Sequence, residues 1–323
     1  DVDFGDMLDD LATDPGTRAI LLYIESVDAP RKFMSAARAA ARNKPVIVVK
    51  SGRSARGQQA AASHTGALAG SDAVYDAAIA RAGMLRVDTL KQLFLAAEAL
   101  ARFRDNRGET LTILTNGGGA GVMAADAAEA LGLPLAELAP ETLARLDRAL
   151  PANWSRANPV DIIGDAPVQR YVDALETLCD DPAAGALLFI HAPTAIVPSV
   201  DIARAMVGAR PALGGRMLGC WLGGHGVDAA RDVFKAGGIA DYETPEEAVS
   251  AFAMLRAYRR NQEELMEAPP ARCAVAETPA FDGAAVRALV RGVLDSGRTL
   301  LTEPEAKALL SAYGIAARAT RNS

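Results

Sequence analysis

The chain has 323 residues, 50% of them hydrophobic and only 5% aromatic, with a net charge of −6. That length can bury more than one core, and an acidic balance without a basic tail argues against a nucleic-acid partner. No apolar run approaches the roughly 20 residues that cross a bilayer, and a core of Ala, Leu, Val and Ile suits parallel sheets covered by helices. Strand-like and helix-like segments alternate from the start, as in doubly wound α/β units. Residues 4–11 read as a helix closed by Asp14-Pro15-Gly16, and residues 19–24 as a buried strand. A helix over 30–42 opens on Pro30, and Asn43-Lys44-Pro45 turns the chain into a strand over 46–49. A basic, glycine-punctuated stretch follows, Lys50-Ser51-Gly52-Arg53-Ser54-Ala55-Arg56-Gly57, leading to Ser63-His64-Thr65-Gly66-Ala67-Leu68-Ala69-Gly70. The histidine stretch is expected to be a mobile loop. Ser71 and Asp72 are placed to cap a helix that ends near Ala82, followed by a short strand over 84–87 and a helix over 89–103. The polar cluster 104–109 marks a domain boundary.

A second unit opens with a strand over 111–115 and continues through a glycine cluster into an alanine-rich helix. Helices are expected at about 141–150 and 168–180, and strands at 186–190 and 217–221 with a helix between them. Thr244-Pro245-Glu246-Glu247 opens a last helix with a capping residue, a first-position proline and acids in the first turn. Residues 262–278, with Pro269-Pro270, read as a linker, and two helical patterns fill 281–323. No repeat with a period of roughly 20–50 residues is evident. Cys179, Cys220 and Cys273 are odd in number and far apart, forming neither a metal-spacing pattern nor a disulfide framework. A reducing, cytoplasmic setting is therefore the expectation, with Cys179 and Cys220 as packing residues. No secretory signal is visible, and a start at Asp1 suggests a piece of a longer protein.

His64 is one of only three histidines. Imidazole titrates near neutral pH and acts as base, nucleophile or ligand. Its small neighbours leave room for a tetrahedral phosphoryl group, and Gly66 and Gly70 give the loop freedom to move. Glu25 closes the strand over 19–24, where open α/β sheets place functional groups, although an ordinary exposed glutamate fits the same position. Asn116-Gly117-Gly118-Gly119-Ala120-Gly121 joins a strand to a helix, and the free N–H groups and dipole of such a junction favour an anion. It lacks the lysine of a P-loop and the spacing of a dinucleotide fingerprint, so tight strand–helix packing explains it equally. Arg53 and Arg56 are candidate phosphate contacts or simply solvated side chains. His191, after the strand over 186–190, is placed to line the crevice and His225 sits in a glycine-rich stretch that could make it reactive, but a structural role is favoured for both, and no metal-ligand set stands out.

Four stretches carry a resemblance to a known family. The first is Lys50 to Gly70, continuing through Ser71-Asp72-Ala73-Val74-Tyr75 to Ala82-Gly83-Met84. The others are Leu22-Tyr23-Ile24-Glu25, Thr115-Asn116-Gly117-Gly118-Gly119-Ala120-Gly121, and Thr302-Glu303-Pro304-Glu305-Ala306-Lys307 with Tyr313-Gly314-Ile315. Together they resemble the NDP-forming acyl-CoA synthetases, the ADP-forming acetate–CoA ligases related to succinyl-CoA synthetase. The fold so implied is α/β, with two flavodoxin-like, succinyl-CoA synthetase-type parallel-sheet domains and a short helical C-terminal stub. The first domain, 1–107, carries the phosphohistidine loop and is incomplete at its N-terminus; the second covers 108–262. A linker over 263–280 leads to the start of an ATP-grasp domain at 281–323.

The reaction implied by the resemblance converts acyl-CoA and phosphate to acyl phosphate and CoA, then passes the phosphoryl group through a histidine to a nucleoside diphosphate. His64 matches that histidine and Glu25 the glutamate that accepts a hydrogen bond from it, fixing the tautomer and stabilising imidazolium. The Asn116 to Gly121 cluster matches one of two helix N-termini that grip the histidine-bound phosphate; the other, a Ser-Gly loop, is expected upstream. Asp161, in Asn158-Pro159-Val160-Asp161, matches a stretch near the domain interface. CoA and ATP or ADP with Mg belong to the full-length enzyme, with none assigned to this piece. The implied partners are acyl-CoA, phosphate, nucleoside diphosphate and the missing CoA-binding and ATP-grasp domains, in a homo-oligomer without membrane or nucleic acid. The piece by itself is expected to be inactive. Two other readings fit the same domains: the regulatory region of a protein lysine acetyltransferase, or a noncatalytic CoA- or phosphate-sensing module. Such acetyltransferases frequently lack the histidine, so His64 favours the ligase.

Overall fold

A computed structural model describes residues 2–65, 71–103, 108–209, 215–267 and 283–315, with residues 61–65 as helix backbone. The first part runs α1 (Phe4–Thr13), β1 (Ile20–Ile24), α2 (Pro30–Asn43), β2 (Val46–Lys50), α3 (Ala55–Thr65), α4 (Asp72–Arg81), β3 (Leu85–Val87) and α5 (Leu90–Arg102). The second runs β4 (Leu111–Thr115), α6 (Gly118–Ala130), α7 (Pro140–Ala149), β5 (Val160–Asp161), α8 (Val168–Cys179), β6 (Ala186–His191), α9 (Ser199–Ala209), β7 (Met217–Trp221), α10 (Asp228–Ala236), β8 (Ala240–Tyr242) and α11 (Pro245–Met266). A short 3₁₀ turn, Gly224–Val227, precedes α10. Residues 268–323 form a separate unit that contains α12 (Gly283–Asp295) and α13 (Glu303–Ala312).

Two parallel sheets result, one ordered β1-β2-β3 and the other β5-β4-β6-β7-β8. Every residue of β2, β4, β6 and β7 is buried, as expected of parallel strands covered on both faces. The strand β1 differs from the fully buried strand expected from its sequence. Its burial alternates, with Leu21 and Tyr23 exposed, because it lies at an edge of its sheet. Only the Ile20, Leu22 and Ile24 face is covered, packing with Leu8, Phe33 and Ala37 from α1 and α2.

The two sheets share a core. Ile47, Val49, Leu85 and Val87 of the first belong to the same apolar cluster as Ile113, Leu188, Ile190 and Leu218 of the second. Alanine-rich faces of α5, α6 and α11 fill that layer. Thr244 starts α11 by accepting the Glu247 N–H, and Pro245 occupies its first turn. The helix then continues through Met266, into the segment expected to be linker. Gln262 donates to the Gly83 carbonyl at 2.6 Å, Asn261 donates to that of Met84 at 2.7 Å, and Leu265 is buried against the first sheet's core. Residues 268–282 lie outside the described residues, as do 104–107 within the expected boundary. Among the described residues no helix is long and apolar enough to cross a membrane.

The packing of α10 on the second sheet tolerates no side chain at Gly219. A Cβ there would lie 2.6 Å from Cδ2 of Phe234, whose buried ring meets that of Trp221 edge-on at 4.9 Å. Gly219→Ala is therefore expected to destabilise the protein by about 1–3 kcal/mol through overpacking. Gly226→Ala is its control, because nothing lies within 4 Å of a Cβ added there. Urea unfolding midpoints should fall for the first variant and stay near wild type for the second; equal midpoints would refute the packing argument.

Candidate functional site

Parallel strands deliver their following loops to one edge of a sheet, so both groups of candidate residues lie at C-terminal strand ends. In the first sheet Glu25 follows β1 and Lys50 ends β2, with Ile24 and Lys50 as register partners. Glu25 is half-buried and accepts a hydrogen bond from Tyr23 Oη at 3.4 Å. Lys50 is only 2% exposed. Its ammonium donates to the Ser51 carbonyl and lies 4.7 Å from the centre of the Tyr75 ring on α4. Desolvation lowers its pKa, with the Arg86 charge acting in the same direction and the Asp72 and Glu25 carboxylates opposing. Tyr75 in turn accepts the Val27 N–H at 3.2 Å, tying the segment after β1 to α4.

The histidine segment departs from the loop expected of it. After a turn through Gly52, whose φ is +67°, the chain forms α3, whose described backbone includes His64. Ser54 Oγ accepts the Gly57 N–H at 3.1 Å, which starts the helix, and the Gln-Gln-Ala-Ala-Ala run that follows favours helix intrinsically. The His64 side chain and the expected hinge glycines Gly66 and Gly70 lie outside the described residues. Ser71 occupies the N-cap position of α4 without a side-chain cap bond.

The two arginines have different surroundings. Arg53 is held by Asp88 and, at 3.7 Å, by Asp72. Arg56 is exposed on the first turn of α3 and has no ion-pair partner among the described residues. Asp72 is also bound at 2.6 Å by Arg86, which reaches Asp76 at 3.4 Å.

In the second sheet, the expected glycine junction joins β4 to α6. Gly117 is the N-cap residue and its N–H is taken by Thr115 Oγ1 at 3.0 Å. The first intrahelical bonds run from Ala120 and Gly121 to the Gly117 carbonyl, leaving the Gly118 and Gly119 N–H groups ahead of the ladder. Asn116 is a clamp: its amide donates to the Ala192 carbonyl and accepts the Ala192 N–H, both at 2.8 Å. Close packing demands small residues here. A Cβ on Gly118 would lie 2.9 Å from Asp161 Oδ2, and one on Gly121 3.1 Å from Thr115 Cγ2.

Asp161 ends β5 and accepts the Ile163 N–H at 2.9 Å. Ile163 has a φ of +68°, an outlier for a β-branched residue, and such outliers cluster at functional sites. No sequence signal marks it. Lys50 did leave a signal, a lysine closing an apolar strand at the functional end of a parallel sheet, but its burial shows only in the fold.

His191 ends β6 and is fully buried, 3.4 Å from Tyr171 Oη through Nδ1 and 3.1 Å from Ser199 Oγ through Nε2. It thereby ties the end of β6 to Ser199 at the start of α9, across a loop whose first residue, Ala192, is held by Asn116. His225 is exposed in the 3₁₀ turn, with Nδ1 3.1 Å from Asp228 Oδ2. Burial pushes the Cys179 thiol up to about 11 and that of Cys220 still higher, which suits packing rather than nucleophilic chemistry. Among the described residues no group of three or more His, Cys, Asp or Glu side chains is placed to hold a metal ion.

Comparison with known proteins places these two edges in context. Residues 1–100 match the family described as the succinyl-CoA ligase like flavodoxin domain, and residues 111–253 the Ligase-CoA domain. The chain is 40% identical over 259 residues to an ADP-forming acetate–CoA ligase I of Archaeoglobus fulgidus, covering 80% of this chain and 37% of that protein. It is 38% identical to the alpha subunit of an ADP-forming acetate–CoA ligase I of Pyrococcus furiosus, covering 79% of this chain and 55% of the subunit. Among solved structures, the dinucleotide-forming acetyl-coenzyme A synthetase 1 of Ca. Korarchaeum cryptofilum, in complex with phosphate and ADP, superposes with a TM-score of 0.76 at 35% identity. That match covers 84% of this chain and 60% of the other. The chain thus spans about a third to three-fifths of the length of these relatives.

The buried His191 yields a pH prediction. Burial depresses its pKa from 6.5 to about 4, so the folded protein holds it neutral where the unfolded chain takes up a proton. Its contribution to stability is complete above the unfolded value and is lost as pH falls toward the folded one. Relative to His191→Phe, wild type should lose up to ~3 kcal/mol of stability across that window. Urea unfolding at stepped pH measures the difference, and parallel curves for the two proteins would contradict it.

Proposed function

We infer that this chain, which belongs to the succinyl-CoA synthetase-like family of NDP-forming acyl-CoA synthetases, is the phosphohistidine-bearing part of an acid–thiol ligase. The ligase interconverts acyl-CoA, phosphate and a nucleoside diphosphate with carboxylic acid, CoA and the triphosphate. The reading rests above all on one conjunction: a histidine on α3 and a glutamate at the end of β1, in a chain 40% identical to an ADP-forming ligase. On this reading residues 1–107 and 108–262 are its two flavodoxin-like domains, 263–280 the linker and 281–323 the start of an ATP-grasp domain. CoA and the nucleotide are substrates that meet other parts of the full-length enzyme. The Mg²⁺ expected with the nucleotide has no ligand set among the described residues, and no step here runs through it.

The chemistry assigned to this chain is two phosphoryl transfers. A neutral His64 ring nitrogen attacks the phosphorus of the acyl phosphate; the N–P bond forms as the P–O bond to the carboxylate breaks. A terminal oxygen of the nucleoside diphosphate then attacks the same phosphorus and the N–P bond breaks. Glu25 accepts the proton on the other ring nitrogen, orienting the ring and stabilising imidazolium. The Gly118 and Gly119 N–H groups, with Asn116, Gly117, Ala120 and Gly121 shaping the turn, offer donors and the positive end of the α6 dipole to the phosphoryl oxygens. Of the two arginines, Arg56 is the better placed to meet phosphate, since aspartates already neutralise Arg53.

Full-length protein incubated with acetyl-CoA and ³²P-phosphate should acquire acid-labile, base-stable label. His64→Ala is expected to abolish it and His225→Ala to keep it; label retained in the first variant would sink the assignment. Glu25→Gln preserves size but removes the charge, so labelling should slow by about 10²-fold or more with circular dichroism unchanged. Wild-type labelling rates in that variant would make the glutamate incidental.

A further inference from the structure

We propose that Lys50 is the counter-charge for the phosphoryl group at the edge of the first sheet, working opposite Glu25 on the adjacent strand. This rests on the reading that His64 carries that group. A lysine is almost never fully buried unless its charge is paired. Lys50 is 2% exposed, yet among the described residues it forms no ion pair; its contacts are the Ser51 carbonyl and the Tyr75 ring. The charges around it are largely committed to one another. Asp72 and Asp76 are bound by Arg86, and Asp88 and Asp72 by Arg53. Glu25 and Lys50 are left without an ion-pair partner among the described residues, as is Arg56 on α3; of the two bases Arg56 is exposed and only Lys50 is buried.

Phosphohistidine presents the complementary pattern. Its ring carries an N–H that seeks a carboxylate, and its phosphoryl group carries negative charge that seeks a cation. The register pairing of Ile24 with Lys50 delivers Glu25 and Lys50 from neighbouring strand ends, about 4.8 Å apart in a parallel sheet. Lys50 also lines an open cleft of about 620 Å³ formed by the turn at 51–54 with Gly57, Asp72 and Asp88. A compact ammonium at the cleft floor suits a tetrahedral anion, and burial strengthens its field. The chemical class bound is a phosphate oxyanion, either free phosphate or the phosphoryl group on His64.

Two arms separate those sources. In the first, labelling of full-length wild type, Lys50→Met and Lys50→Arg is followed against phosphate concentration and pH. Lys50→Met should raise the half-saturating phosphate concentration about tenfold or more, the scale of one lost charge-assisted contact, and Lys50→Arg should restore most of it. Desolvation, with Arg86 adding to it and Asp72 and Glu25 opposing, lowers the Lys50 pKa. Wild type should therefore lose activity at alkaline pH below the ordinary lysine range, and Lys50→Arg should move that limb upward. In the second arm, ³¹P NMR follows free phosphate with His64→Ala and with His64→Ala/Lys50→Met. Binding in the first and its loss in the second supports Lys50 even if wild type takes no label, an outcome that would overturn only the phosphohistidine reading. Unchanged phosphate dependence in folded Lys50→Met, or equal loss with charge-conserving Lys50→Arg, overturns the proposal. Should Lys50→Met fail to fold, an alkaline limb that Lys50→Arg leaves in place overturns it too.

Discussion

A single apolar layer shared by two parallel sheets sets the positions of both candidate edges. Its helices contribute many alanines: Ala96 and Ala99 on α5, Ala120, Ala124 and Ala128 on α6, and Ala248 and Ala251 on α11. Small side chains let helix backbones approach the sheets closely while keeping interior density. The same closeness fixes the first turn of α6. With Gly121 against Thr115 and Pro159, and Gly118 against Asp161, that turn presses on β4 and β5. Its free N–H groups therefore stand where the strands end. Enlarging these glycines would lift the helix start and misdirect the donors, so the packing constraint and the proposed anion-binding geometry are one requirement.

Charge at the first sheet follows a different logic. Two of its arginines, Arg53 and Arg86, are committed by geometry to aspartates. Arg86, nearly buried, fixes the start of α4 through Asp72 and Asp76, while Arg53 fixes the turn before α3 through Asp88. These pairs hold backbone segments in place and leave little unscreened charge behind. Outside these pairs stand Glu25 and the buried Lys50, one charge of each sign, with Arg56 exposed on α3. Such prepositioned charges stabilise a developing ionic group without the reorganisation that water would need.

Much of this was legible in the sequence. Buried parallel strands are uniform apolar runs, so β2, β4, β6 and β7 announce themselves, and the glycine junction before α6 carries its own turn chemistry. The helix α3 was hidden because Arg56, Gly57 and the Gln-Gln pair give no apolar period; helix propensity and the Ser54 cap form it instead. Two-residue β5 and three-residue β8 are too short to show any period. The role of Asn158 was invisible for another reason: its side chain bonds the Ile113 N–H and the Leu111 and Ala136 carbonyls, substituting for a strand partner. The burial of Lys50 depends on α4 folding Tyr75 over it, a long-range event that no local pattern encodes. The tail of α11 is similar, since Gln262 and Leu265 look like linker until the first sheet receives them.

The proposed chemistry sets two demands on the edge of the first sheet. Glu25 is proposed to favour the imidazolium character that makes a phosphorylated ring a good leaving group, at some cost to the neutral ring's nucleophilicity. A basic group opposite it offsets that bias by stabilising the phosphoryl charge in both transfers. With Lys50 proposed in that place, the edge carries both signs of charge that reversible transfer requires: the acid tunes departure from nitrogen, and the base steadies the group that moves.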